Sequence, residues 1–114
     1  MAVAVKRIYD TITEKDGYRI LVDRLWPRGM KKESAPIDTW LKEVAPSTAL
    51  RQWFNHDPAK WEQFIEKYKK ELAGNEAFDA LKQLVKKHRK VTLLYASRNE
   101  THNHALVLQQ LLKQ

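Results

Sequence analysis

Two short stretches carry the side chains that could do chemistry. In Tyr18–Gly29 (YRILVDRLWPRG) the apolar run Ile20-Leu21-Val22 gives way to Asp23, Arg24 and Arg28, set around Trp26 and Pro27. A buried strand that ends in a rigid, charged loop reads this way, and loops at strand ends tend to carry function. In the second stretch an uncharged run, Val91-Thr-Leu-Leu-Tyr-Ala96, is followed by Ser97-Arg98, then by Asn99-Glu-Thr-His-Asn103 and an apolar helix pattern. A strand that runs into a helix start aims unpaired backbone N–H groups at one place, and the helix dipole favours an anion there. Arginine adds paired donors that match a phosphate or a carboxylate.

If these two strands are parallel neighbours, Arg24, Arg28 and Arg98, with Ser97 and Asn103, face one crevice at the carboxyl ends of the sheet. Open α/β sheets bind ligands there. The chemistry expected is recognition of a small, phosphate-bearing anion. In this reading Asp23 orients Arg24 or Arg28, Arg28 and Arg98 clamp the anion, and the N–H groups of Asn99 to His102 hold its oxygens. His102 is the candidate proton donor, imidazole being the side chain that ordinarily titrates near neutrality. Asp23 and His102 are thus the candidate catalytic residues. If there is turnover, the reaction class is metal-independent hydrolysis or transfer, of phosphoryl or acyl type.

Each feature also has a plainer reading. Asp23 and Arg24 read equally as charges paired for structure, Trp26 beside Pro27 as core packing, and His56 as support for a helix cap at Asp57. His102 and His104 are two apart and cannot share a helix face as metal ligands. With no cysteine in the chain and scattered carboxylates, neither a metal nor a cofactor is expected. Ser97 sits in no nucleophile elbow, and there is no Gly-rich phosphate loop.

Positioning these residues takes one domain over residues 1–114, long enough to bury a core. Val3–Tyr9, Tyr18–Trp26 and Val91–Ala96 read as strands. Ile37, Trp40, Leu41 and Val44 fall at helical spacing, with Ser34 as cap and Pro36 in the first turn. Ser47 caps a short helix carrying Leu50, Trp53 and Phe54. Asp57-Pro58 opens a longer one with Trp61, Phe64, Ile65, Tyr68 and Leu72 on one face, closed by Gly74. Asn75 caps a helix that buries Phe78, Leu81, Leu84 and Val85. The last helix buries Ala105, Leu108, Leu111 and Leu112, with Asn99 or Thr101 as cap. The class is α/β: a small, mostly parallel sheet of about three strands, covered by helices in Rossmann-like or flavodoxin-like layering. The short link between the first two strands argues by its length for a hairpin.

The formal charge is +7, from 21 Lys and Arg against 14 Asp and Glu, with most of the excess in the second half. This leaves two rivals to a small-anion pocket. One is a nucleic-acid-binding domain using the positive second half, with its Lys86-Lys-His-Arg-Lys90 cluster, and Trp26 for stacking. The plainer reading of that cluster is a set of cations at a helix C-terminus. The other is a structural or protein-interaction module in which Arg24, Arg28 and Arg98 pair with Asp10, Asp23 and Glu100 and nothing small binds. Met1–Val5 is too short for the apolar core of a secretory leader, and no apolar run is long enough to span a membrane. With the lack of cysteine, the expectation is a cytoplasmic protein without a membrane partner.

The motifs YRILVDRLWPRG, APSTALRQWF with HDP at His56–Pro58, WEQFIEKYKKEL at Trp61–Leu72 and TLLYASRNETHN at Thr92–Asn103 resemble the short, YeaO-like branch of the domain of unknown function 488 (DUF488) family, over nearly the whole chain. The resemblance implies a small α/β domain with a mostly parallel sheet. It therefore implies that the first two strands run parallel, through a short irregular crossover at Thr11–Asp16, with the hairpin as runner-up. Longer members of the family carry a Val-Asp-x-Arg stretch before a proline. Asp23 matches that pattern, whereas Arg24 follows Asp23 directly and does not. The resemblance brings no established activity with it.

Overall fold

The computed structural model describes residues 2–113. Its sheet has four parallel strands in the order β1-β4-β2-β3: β1 Ala2–Arg7, β2 Tyr18–Leu21, β3 Thr39–Trp40 and β4 Lys90–Tyr95. The uncharged run Val91–Tyr95 is buried throughout and lies at the centre. A parallel strand closed in on both faces has that composition. β1 and β2 flank it, with Val91 opposite both Val3 and Tyr18.

The first two strands are therefore parallel but not neighbours, and the hairpin does not form. Their link returns across β4 rather than beside it, held where the Thr92 hydroxyl donates to the Asp16 carbonyl at 2.6 Å. A 3-10 turn, Glu14–Asp16, tightens the return. Gly17 follows at φ +66°, where a Cβ would run into the Lys90 carbonyl oxygen. Only glycine meets both demands without strain.

The helix expected over Ile37–Val44 is absent. Thr39–Trp40 instead pairs with Ile20–Leu21 as an edge strand, and Lys42–Val44 forms a 3-10 turn. The open edge of β2 decides this. Asp38 N–H donates to Arg19 O at 2.8 Å, Leu41 N–H donates to Leu21 O at 2.9 Å, and the Asp38 carboxylate accepts from Arg19 N–H at 2.8 Å. Tertiary pairing overrides a helical spacing only eight residues long.

The other helices follow their caps. α1 Thr48–Phe54 starts at Ser47, whose hydroxyl accepts from Leu50 N–H at 3.1 Å. Asp57 and Pro58 open a 3-10 turn that leads into α2 Trp61–Leu72. Asn75 caps α3 Glu76–Lys87, so the Lys86–Lys90 cluster lies at the amino ends of the strands. α4 His104–Leu112 is capped by Asn103, later than Asn99 or Thr101. Apolar residues of all four helices join one cluster with Val3, Ile20, Val22, Val91, Leu93 and Tyr95 from one sheet face. On the other face Ile8, Leu21 and Leu94 meet Trp40 of β3 and Trp26, Met30 and Ile37 from connecting segments. The α/β class stands, with four strands rather than three and the helices gathered on one side. Among the described residues no helix is long and apolar enough to cross a membrane.

Candidate functional site

Parallel pairing of β2 with β4 places their carboxyl ends side by side, and the chain leaves the sheet there twice. Asp23 ties the two exits together. Its Oδ2 accepts from Ala96 N–H at 2.8 Å, and its Oδ1 lies 3.3 Å from His104 Nε2. That ring nitrogen donates to the Val22 carbonyl at 2.9 Å. Arg7 braces the second exit, donating from Nε to Ser97 O at 2.9 Å and from Nη2 to Ala96 O at 3.1 Å. The Tyr9 hydroxyl donates to Arg28 O at 3.0 Å and fixes the first. Side chains anchored in this way hold a site's geometry before any ligand arrives.

Between these exits and α1 opens a cleft of about 500 Å³, within the usual range for small-molecule sites. The Arg24–Arg28 loop lines it, as do Arg51 and Gln52 of α1 and the residues that follow that helix, Asn55 and His56. Phe54, Phe64, Ala45 and Pro46 also border it but are buried. Asn55 and His56 both have positive φ, 45° and 54°. Two consecutive non-glycine residues in that region are uncommon, and such backbone clusters at functional sites. His56 is exposed at this turn rather than packed beside the Asp57 cap.

Of the residues singled out in the sequence, Asp23, Arg24, Arg28, Ser97, His102 and Asn103 line the cleft. Arg98 is exposed and does not, so the three arginines do not converge. Arg24 is largely occupied. It donates to Ala45 O at 3.0 Å and Pro46 O at 3.4 Å and pairs with Glu43 at 3.3 Å, which holds the segment leading into α1. The backbone cradle expected at Asn99–His102 is filled from within: Asn99 Oδ1 accepts from Thr101 N–H at 3.0 Å and His102 N–H at 2.9 Å. Ser97 Oγ accepts from Asn99 N–H at 3.1 Å. His102 Nδ1 is 2.8 Å from the Thr101 hydroxyl, and its ring stands edge-on to Trp61. Asn103 is buried, accepting from Leu106 N–H at 3.1 Å and donating to Asn99 O at 2.9 Å. Trp26 packs against Trp40 and donates to Met30 O at 2.7 Å.

Two cations remain. Arg28 and Arg51 both line the cleft and are exposed, and among the described residues neither guanidinium has a carboxylate or carbonyl partner. Asp23 is the single carboxylate among the lining residues; its Oδ2 accepts from Ala96 N–H, and its Oδ1 lies beside the His104 ring. The cleft therefore carries net positive charge. Burial pushes the Tyr68 phenol well above its ordinary pKa, so Tyr68 stays a neutral donor, to Val44 O at 2.6 Å. Among the described residues no group of three or more His, Asp or Glu could hold a metal ion.

Sequence reasoning missed Arg51 and His104. Arg51 shows as the outward residue of a capped amphipathic helix, but the fold alone aims that side of α1 at the cleft. His104 bonds to a carbonyl 82 residues away in the chain, which no local pattern signals.

The chain is similar to YeaO of Escherichia coli K12, described as uncharacterized: 46% identity over 113 residues, covering 99% of this chain and 98% of that one. It is similar also to Rv3073c of Mycobacterium tuberculosis H37Rv, likewise described, with 41% identity over 110 residues and coverage of 96% and 92%. No solved structure matches the chain. The model of one family, DUF488-N3i, described as the inactive DUF488-N3 subclade, matches residues 2–114, and the chain belongs to that family.

Proposed function

We propose that the domain binds a small, phosphate-bearing anion in the cleft at the carboxyl ends of β2 and β4, without turning it over. The observation that carries this reading is the pair of unpartnered guanidinium groups, Arg28 and Arg51, in a cleft with a single carboxylate among its lining residues, Asp23, itself tied to Ala96 N–H. Arginine forks suit phosphate oxygens. Arg24 and Asp23 act as positioning residues, holding the segment before α1 and the two strand exits. A binding role without chemistry is supported by the hydrogen bonds at the site. Ser97 has no base bonded to it among the described residues, and His102 is tied to Thr101. The family's description as an inactive subclade agrees with this.

A thermal-shift screen at fixed salt tests the reading, with phosphate, sulfate, sugar phosphates, nucleotides, small carboxylates and a short oligonucleotide. A ligand at 100 times its dissociation constant stabilises the fold by roughly 2.7 kcal/mol, which reads as several degrees in a domain of this size. The expected result is a shift with phosphate-bearing small molecules that disappears in Arg28→Ala/Arg51→Ala and survives in Arg98→Ala. A shift with the oligonucleotide alone, erased by salt, would replace this reading with nucleic-acid binding.

A further inference from the structure

The two edges of the sheet differ. β3 is two residues long and is followed by a 3-10 turn, and so short an edge offers little to pair with. β1 runs for six residues, Ala2–Arg7, and pairs with β4 without a bulge or a proline. That pairing decides which of its groups are left over. Ala2 N–H donates to Arg89 O and Ile8 N–H to Tyr95 O, so Ala2, Ala4, Lys6 and Ile8 turn their backbone groups to β4. Those of Val3, Val5 and Arg7 face outward. Val3 O accepts from the Gln109 side chain at 2.9 Å, and Arg7 O accepts from Asp10 N–H at 3.1 Å. Among the described residues the N–H and the carbonyl of Val5 have no partner, and neither do the N–H groups of Val3 and Arg7. From this edge we infer that the protein associates with a second copy of itself, β1 beside β1 in antiparallel order about a two-fold axis at Val5, joining the two sheets into one.

Three features select a copy of this chain. The first is that the edge complements itself. Two antiparallel residues that exchange both hydrogen bonds each need a free N–H and a free carbonyl, and Val5 offers both. With Val5 opposite Val5, Val3 of one copy stands opposite Arg7 of the other, and each N–H meets a carbonyl with a lone pair to spare. The second is charge. The chain carries +7, so two copies repel on average. At this flank the cations are already held: Lys6 by Asp16 at 3.0 Å, and Arg7 by the carbonyls of Ala96 and Ser97. α4, which packs over β1, has no Asp, Glu, Lys or Arg, whereas α2 and α3 carry both signs. The third is an apolar stripe. Leu106, Gln109 and Leu112 follow at intervals of three on one side of α4, and the bond from Gln109 to Val3 O sets that side beside the open edge. Leu106 and Leu112 are half-buried there. His104 bonds Val22 O and Gln109 bonds Val3 O, so α4 runs from the carboxyl to the amino ends of the strands. Three residues of helix span about 4.5 Å, which brings Leu106 to roughly the level of Val5. The Leu106 side chains of two copies then cover each other above the axis. An extended peptide from another protein would satisfy the edge but leave Leu106 wet, and a helix apolar nearly all round is one whose outer side is covered.

Sedimentation equilibrium over a range of protein concentrations, at fixed salt, tests this. The mass is expected to rise from that of one chain toward that of two. Leu106→Lys and Leu106→Glu, at a half-buried position, are each expected to weaken self-association about tenfold or more, because like charges then meet at the axis. Mixing the two variants is expected to restore a dimer with one copy of each, a recovery that loss of folding could not produce. Val5→Pro removes an N–H that the single chain does not use, and is expected to abolish the dimer while the circular dichroism spectrum stays that of wild type. Hydrogen exchange at the Val5 amide is expected to slow as wild-type concentration rises, and to stay fast in Leu106→Lys. A chain that remains monomeric throughout would overturn the inference and leave the edge to an extended segment of another protein. A dimer that survives both Val5→Pro and Leu106→Lys, or one that mixing the charged variants fails to restore, would overturn it as well, since the copies would then meet elsewhere.

Discussion

The molecule uses its positive charge in two opposite ways. Across the link between β1 and β2, Lys6 and Arg19 converge on the buried carboxylate of Asp16. Lys6 Nζ lies at 3.0 Å, Arg19 Nη1 is in contact, and Thr13 donates from its backbone N–H at 3.2 Å. Arg19 is itself buried and also donates to Pro36 O at 2.6 Å, leaving its Nη2 without a partner among the described residues. At the carboxyl ends of the strands the arrangement is reversed. The carboxylate, Asp23, accepts from a backbone N–H and faces a histidine, while Arg28 and Arg51 stand open. The first region closes a crossover; the second keeps its cations available. Charge count along the chain does not separate the two, but burial and partners do.

The largest expected effect breaks the first region. Asp16→Asn removes the charge that compensates a buried arginine, and breaking such a pair by removing one partner costs about 3–5 kcal/mol. Urea unfolding should show that loss. Asp23→Ala should come next, at about 1–3 kcal/mol, because the Ala96 N–H loses its acceptor where the two strand exits meet. The same substitution should weaken anion binding by loosening the cleft.

Acid sharpens the contrast. Burial alone would raise the Asp16 carboxyl, but the hydrogen bonds from Lys6 and Thr13 and the Lys6 charge outweigh it and bring it from 3.8 down to about 2. A carboxyl depressed in the folded state stabilises the fold above its unfolded pKa and loses that contribution as pH falls through its folded one. The stability gap between wild type and Asp16→Asn should therefore close as pH falls from about 4 to about 2. Arg28→Ala and Arg51→Ala should track wild type through that window. Their own effect on stability should be the smallest, within about 0.5 kcal/mol, because exposed side chains without partners contribute little. Their cost should appear in anion binding instead.

Much of the fold is legible in local chemistry. The caps Ser47, Asp57 and Asn75 mark real helix starts, and the uncharged run Val91–Tyr95 marks the central strand. Those signals act within a few residues and need no tertiary context. Thr39–Trp40 was not legible, because the open edge of β2 that captures it is distant in sequence. The site was legible in part for the same reason. Asp23, Arg28 and His102 sit where parallel strands must end. Arg98, three residues past the end of β4, is exposed and does not line the cleft. The expected N–H cradle failed on one residue: the Asn99 side chain reaches its own loop first.

The most direct test is a proton–nitrogen correlation spectrum of the arginine Nε–H groups, assigned by substitution and titrated with inorganic phosphate and then with a nucleoside monophosphate. Arg28 and Arg51 should shift together and saturate with one affinity, while Arg19, Arg7 and Arg24, held by carbonyls and carboxylates, stay in place. If Arg28 and Arg51 remain fixed while the added anion moves other arginines, or moves none, the cleft is not an anion site and its open cations have another use.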